Sequence, residues 1–236
     1  MKEEPRPDTR SVDRTFAAGI LWTAGAKWST QLVTWGSVLV LARLLSPREL
    51  GLAGMAGAYN VLSNIVAEFG IGGAVLQMRE LSAATIRQLS TVSVLLGCVV
   101  MGITALLSPY IAAYFGAEEV RWLVIANSVE LLLSTFQAIP NGTLRKNLDY
   151  RRLSIIEAIQ VLLRAVISVI AAWFGASYWS TVIGGLSGNV VATGLTVYYA
   201  PSGFQWPRLA DIAQPLRFGG HLAASSLFNA LSEMAD

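Results

Sequence analysis

The sequence predicts an all-α, polytopic transmembrane helix bundle of six complete spans followed by a truncated seventh, and three observations carry this. Apolar residues make up 54% of the 236-residue chain and charged ones only 14%, with a mean hydropathy of +0.54; soluble domains hold roughly 25% charged residues. The apolar residues gather into segments of about 20 or more, the helical length that crosses a hydrocarbon core about 30 Å thick. The cations sort by connection. Of the 17 Lys and Arg residues, Lys2, Arg6, Arg10, Arg14, Arg79, Arg87, Arg145, Lys146, Arg151, Arg152, Arg208 and Arg217 lie in the N-terminal segment or in every second connection. Arg43, Arg48 and Arg121 are in the intervening ones, and Lys27 and Arg164 lie inside apolar segments. The positive-inside rule leaves this alternation on a multi-pass protein whose N-terminus is cytoplasmic.

Residues 1–15 are polar, carry both signs and include Pro5 and Pro7, which predicts a disordered cytoplasmic tail. The apolar run that follows is longer than a signal-peptide core of about 7 to 15 residues, so it is a retained first span. Spans are expected at 16–42, 48–69, 88–115, 121–141, 153–174 and 178–200, making a bundle over 16–200, with a cytoplasmic linker at 201–215 and the truncated seventh helix over 216–236. Helices are required because a backbone in lipid must satisfy its own hydrogen bonds and the segments far exceed a barrel strand. Ser46-Pro47-Arg48-Glu49 supplies an N-cap, a proline in the first turn and a capping glutamate for span two. Outward connections are short, as at Gly175 to Ser177. The inward connections Gln77 to Leu89 and Leu144 to Leu153 mix cations with apolar residues, as helices lying in the inner interface would. Trp122, Trp173 and Trp179 fall at outer ends and Tyr150, Tyr198 and Tyr199 at inner ends, matching aromatic belts. Ser108-Pro109 suggests a kink in span three.

Several classes drop out. Because the cations follow membrane orientation, nucleic acid is not a partner. Cys98 is the one cysteine, which excludes an intrachain disulfide and a cysteine-rich metal site. Gly70-Ile71-Gly72-Gly73 follows no strand, so it is not a nucleotide loop, and no cofactor is expected.

Function then rests on polar residues inside the spans, where a charge at the helix centre costs roughly 2.5 to 3.5 kcal/mol on insertion scales. At 100° per residue, Lys27 and Gln31 share one side of span one; Asn60, Asn64 and Glu68 one side of span two; Glu130 and Gln137 one side of span four; and Glu157, Gln160 and Arg164 one side of span five. Lone Ser and Thr residues in these stripes read as interhelical glue. Lys27 and Arg164 have no opposite charge at i+3 or i+4, so each needs a partner on another span, water or an anionic ligand; Glu157, two turns away on the Arg164 face, is a candidate structural partner. The glycines of span two and Gly184, Gly185 and Gly188 of span six permit close helix approach.

The run Leu41 to Gly51, followed by Glu68 to Gln77, resembles the first hairpin of bacterial polysaccharide-export flippases, the oligosaccharide branch of the multidrug, oligosaccharidyl-lipid and polysaccharide exporter superfamily. Pro140 to Arg152 and Phe218-Gly219-Gly220 with Asn229 to Asp236 are further points of similarity. The resemblance implies the first half of a transporter with two six-helix bundles facing a central cavity in the bacterial inner membrane. Its substrate would be an undecaprenyl-diphosphate-linked oligosaccharide, moved by alternating access, with membrane lipids and a missing C-terminal half or a second copy as partners. On that basis the cavity candidates are Lys27, Arg164, Gln31, Asn60, Asn64, Glu130, Gln137 and Glu157, with the two cations on the diphosphate. Three rivals are a drug/cation antiporter of the same superfamily, which is expected to carry acids where span one has Lys27; a membrane-embedded glycosyl-transferring enzyme, for which the outer loops are too short; and an inert half acting as an assembly partner.

The orientation is testable. In a Cys98→Ala background, Arg151→Cys is expected to react with a membrane-impermeant maleimide only after the cells are permeabilised; labelling of intact cells would invert the topology.

Overall fold

The computed structural model describes the backbone of residues 9–67, 75, 82–208, 212, 213, 215, 217, 219 and 220, with side chains of the first two helices described over 25 and 27–57. Its elements are α1 (Thr9–Leu44), α2 (Pro47–Ala67), α3 (Ala83–Phe115), α4 (Glu119–Lys146), α5 (Tyr150–Trp173) and α6 (Trp179–Tyr199). Among the described residues there is no strand, and α3, α4, α5 and α6 are each long and apolar enough to cross a membrane. Residues 221–236, most of the expected seventh helix, lie outside the described residues, as does Glu68.

Local chemistry sets the helix ends. Glu49 accepts the backbone N–H of Ser46 at 2.6 Å while Ser46 Oγ accepts that of Glu49 at 3.4 Å, closing the expected capping box at the start of α2. Ser82 caps α3 by accepting the Thr85 N–H at 3.0 Å, and the helix stops at Gly116, which takes the left-handed φ of 66°. Asp149 caps α5 by accepting the Arg152 N–H at 3.3 Å.

Three differences from the expected spans have physical reasons. α1 begins at Thr9, inside the stretch read as a disordered tail, because its polar N-terminal turns precede an apolar run that propagates the helix. α4 passes through Pro140 and reaches Lys146, and α5 starts at Tyr150. The segment Leu144 to Leu153 is therefore not a helix in the interface; it is two helix ends joined at Asn147 to Asp149, with Leu148 in the left-handed region at φ 58°. α3 has 33 residues, about 50 Å of helix at 1.5 Å per residue, and continues past Pro109 without a break in its assignment.

α4 is the hub. It packs on α3 and α6 along much of its length and also touches α2 and α5, while α6 is clasped tightly by α5, and α1 leans on α5. Instead of one core there are small clusters. Leu52 and Ala56 of α2 meet Val120, Leu123 and Val124 of α4 and Val182 of α6; Leu41 and Leu45 meet Ala172 of α5. Large apolar residues such as Leu106, Trp173 and Trp28 stay exposed, as they do on lipid-facing surfaces.

Both ends of the bundle are tied by polar contacts. At one end Arg48 Nη2 donates to Glu119 Oε1 at 2.7 Å and Ser177 Oγ donates to Glu49, so the three turns α1–α2, α3–α4 and α5–α6 are linked. At the other, the chain after α6 crosses the start of α3. Thr91 Oγ1 donates to Gln205 O at 2.9 Å and accepts the Gln205 N–H at 3.1 Å, and the Arg208 N–H donates to Gln88 Oε1 at 2.9 Å. The stretch expected as a plain linker is thus docked between 205 and 208.

Small residues let α5 and α6 approach. A Cβ at Gly184 would sit 2.6 Å from the Arg164 carbonyl oxygen and 2.9 Å from the Ser168 nitrogen, and one at Gly188 would sit 2.7 Å from the Gln160 carbonyl oxygen. Backbone cannot step aside as a side chain can, so Gly184→Ala and Gly188→Ala are each expected to destabilise the bundle by about 1 to 3 kcal/mol. Gly194→Ala, which meets nothing within 4 Å, should leave stability unchanged; thermal unfolding in detergent micelles distinguishes the two.

Candidate functional site

The most polar interior contact lies near the middle of the bundle, where α4, α5 and α6 converge. Arg164 Nη2 on α5 donates to Glu130 Oε2 on α4 at 2.9 Å. Asn189 Nδ2 on α6 donates to the same oxygen at 3.1 Å. Gln160 Nε2, one turn before Arg164, donates to Asn189 Oδ1 at 2.8 Å and so orients that amide. Further along the α4–α6 contact, Gln137 Nε2 donates to Thr193 Oγ1 at 2.9 Å, and that hydroxyl donates to the Asn189 carbonyl at 2.7 Å. Six side chains from three helices therefore form one connected seam with Glu130 at its head.

The seam is asymmetric. The Glu130 side chain is 9% exposed, whereas that of Arg164 is 49% exposed. Glu130 Oε1 is buried with no hydrogen-bond partner and lies against Gly185, where a Cβ would overlap it. Only glycine at 185 leaves room for the carboxyl, which assigns this glycine a purpose beyond helix packing. Arg164 makes one hydrogen bond to Glu130 and leaves about half of its side chain exposed, so its guanidinium has donors with which to meet an anion.

Of the residues expected to line a cavity, Arg164, Glu130 and Gln137 come together. Glu157 does not: it is exposed on α5 and is not the partner of Arg164, because the close α4 and α6 packing presents Glu130 to the guanidinium directly. Lys27 and Gln31 are exposed on α1, away from this seam, with no partner among the described residues. Asn60 and Asn64 lie on the α2 backbone, and their side chains are outside the described residues. Asn189 and Thr193 were not singled out from the sequence; the signal was their place one and two turns beyond Gly185, on the face the glycines already marked for close approach.

The burial difference predicts an unequal response to truncation. Arg164→Ala strands a buried carboxylate and is expected to cost on the order of 3 kcal/mol, whereas Glu130→Gln keeps the Asn189 bond and should cost less. The double substitution Glu130→Leu with Arg164→Leu should recover most of the loss in a denaturation cycle; additive single costs would show that the two groups do not depend on each other.

Comparison with known proteins adds the lineage. Residues 40–236 match the sequence model of a family described as polysaccharide biosynthesis protein. The chain is 29% identical over 224 residues to the lipopolysaccharide biosynthesis protein WzxC of Escherichia coli (strain K12), covering 89% of this chain and 44% of that protein. It is 27% identical over 150 residues to the teichuronic acid biosynthesis protein TuaB of Bacillus subtilis (strain 168), covering 62% of this chain and 30% of that one. It is also 21% identical over 215 residues to an uncharacterized membrane protein in the cps region of Klebsiella pneumoniae. The chain thus spans less than half the length of these relatives, and no solved structure matches significantly. With four apolar spans, a polar seam held inside them, and a family match over most of its length, this multi-pass membrane protein belongs to the polysaccharide biosynthesis protein family, the export lineage that its first hairpin resembles.

Proposed function

We propose that this chain forms the first of two facing bundles in a transporter that carries an undecaprenyl-diphosphate-linked oligosaccharide across the bacterial inner membrane by alternating access. Arg164 carries the reading: a half-exposed guanidinium held at mid-bundle by Glu130, among spans otherwise suited to lipid. A fixed cation at that depth costs insertion free energy, and an anionic headgroup with many acceptor oxygens repays it by bidentate bonding. Lys27 is the second cation of the proposal. Its exposure on α1, which packs mainly on α5, leaves it on a face open to a second bundle. Six spans with the N-terminus cytoplasmic and a seventh beyond residue 216 complete this architecture. The polar sides of α1, α2 and α4 would hydrate the sugars while the prenyl tail remains in lipid.

This reading is of a transporter and assigns the chain no enzymatic step. Lys27→Gln and Arg164→Gln, made in the polypeptide as its gene encodes it, are each expected to cut polysaccharide export at least tenfold in a complementation assay at equal protein levels. Undiminished export from both would remove the two cations from the mechanism.

A further inference from the structure

Glu130 holds an oxygen that the bundle leaves unanswered. Both donors within reach, Arg164 Nη2 and Asn189 Nδ2, go to Oε2, while Oε1 is sealed against Gly185 with no donor. Space there is too tight for even a methyl group, so a hydrated or multiply coordinated metal cation does not fit, and a proton does. The surroundings are simple. Among the described residues, the charged group facing Glu130 from α5 is Arg164, and from α6 it meets neutral Asn189. The charges of α2, Arg48 and Glu49, are engaged at the turn end with Glu119, Ser46 and Ser177. On α3, Arg87 contacts Gln205 while Cys98, Tyr110 and Tyr114 are exposed, so among the described side chains, which on α2 end at residue 57, neither helix brings an ionisable group to Glu130. Glu157 on α5 is exposed and remote from the pair.

We propose that Glu130 is a proton-binding site, loaded when Arg164 leaves its carboxylate for a diphosphate headgroup and emptied when Arg164 returns. This rests on the reading that Arg164 meets the anion. A carboxylate left without its cation in a low-dielectric interior neutralises by taking a proton. The O–H bond forms on the Glu130 carboxyl, the proton coming from hydronium or a buffer acid in the water that reaches the half-exposed guanidinium, and Asn189 keeps its bond to Oε2. Each anion bound thus brings about one proton with it, and by reciprocity a fall in pH favours anion binding. Such an exchange gives the bundle two arrangements in which the buried carboxyl is never left ionised without a cation: guanidinium with carboxylate, or guanidinium with anion beside a neutral acid.

The test has two arms, both on the intact chain in lipid nanodiscs. In infrared difference spectra without ligand, wild type minus Glu130→Gln is expected to show a protonated-carboxyl band that grows as pH is lowered, and Arg164→Gln is expected to show it already at neutral pH. A band absent at every pH in both proteins overturns the proton site. In weakly buffered solution, undecaprenyl diphosphate should cause uptake of about one proton per bound ligand by the wild type and none by Glu130→Gln. Its affinity should rise up to about tenfold per unit fall in pH for the wild type and stay flat for Glu130→Gln. Ligand that binds through Arg164 with no proton uptake overturns the coupling and leaves the transport reading standing. Ligand binding that Arg164→Gln does not weaken overturns the headgroup reading, while the band without ligand still decides whether Glu130 takes a proton.

Discussion

The burial of the Glu130 carboxyl at the junction of three helices is the constraint that the rest of the bundle accommodates. An ionised group in an apolar interior is tolerable only with a partner and hydrogen bonds of its own. Arg164 supplies the first and Asn189 the second, from different helices, so the positions of α5 and α6 are fixed relative to α4 by one side chain. The same carboxyl forbids any side chain at Gly185. Gly184 and Gly188 then carry the close approach of the α6 backbone to that of α5 on either side. Without a hydrophobic drive between helices in lipid, such packing and hydrogen bonding must do the associating, and the small apolar clusters are in keeping with that.

Much of this was legible in the sequence. The spans at 88–115, 153–174 and 178–200 lie within a few residues of α3, α5 and α6 because apolar length and strong stop signals, such as Gly116 and the residues from Gly175 to Ser177, act locally. The capping box at Ser46 and Glu49 is likewise local chemistry. What failed was pairing between helices. A helical projection ranks neighbours along one helix, so it offered Glu157 to Arg164, while the actual partner lies 34 residues away on α4. The fourth span, expected at 121–141, instead runs on to Lys146 as α4, with Pro140 inside the helix. The docking of 205–208 on α3 left no signal, because a backbone N–H meeting Gln88 has no side-chain signature.

The two halves of the described fold differ in how firmly they are held. α3 to α6 form a connected block through α4, with buried polar ties such as Ser93 Oγ donating to the Thr135 carbonyl at 3.1 Å. The first hairpin is attached mainly near its turn, by Leu41 and Leu45 on α5, Leu52 and Ala56 on α4 and α6, and the Arg48 and Glu49 contacts. Beyond that end α1 exposes Trp28 at 72%, Leu32 at 70% and Trp35 at 62%. A helix that rests one narrow face on a single block and is packed most firmly near one end loses few contacts in swinging about that end, and the four-helix block gives it something to swing against.

That division places the charge seam on the static side. Arg164 and Glu130 both belong to the block, so the helices that carry them keep their places if the first hairpin swings, and an exchange of partners at the seam is confined to side chains. Fixed helices limit any reorganisation to one guanidinium and one carboxyl, and moving buried polar groups is costly for a bundle in lipid. The exposed contacts at the turn end suit the opposite role. Arg48 is 78% exposed and Glu119 32%, and an ion pair so placed contributes about 0 to 1 kcal/mol, so it sets little resistance to a swing of the hairpin.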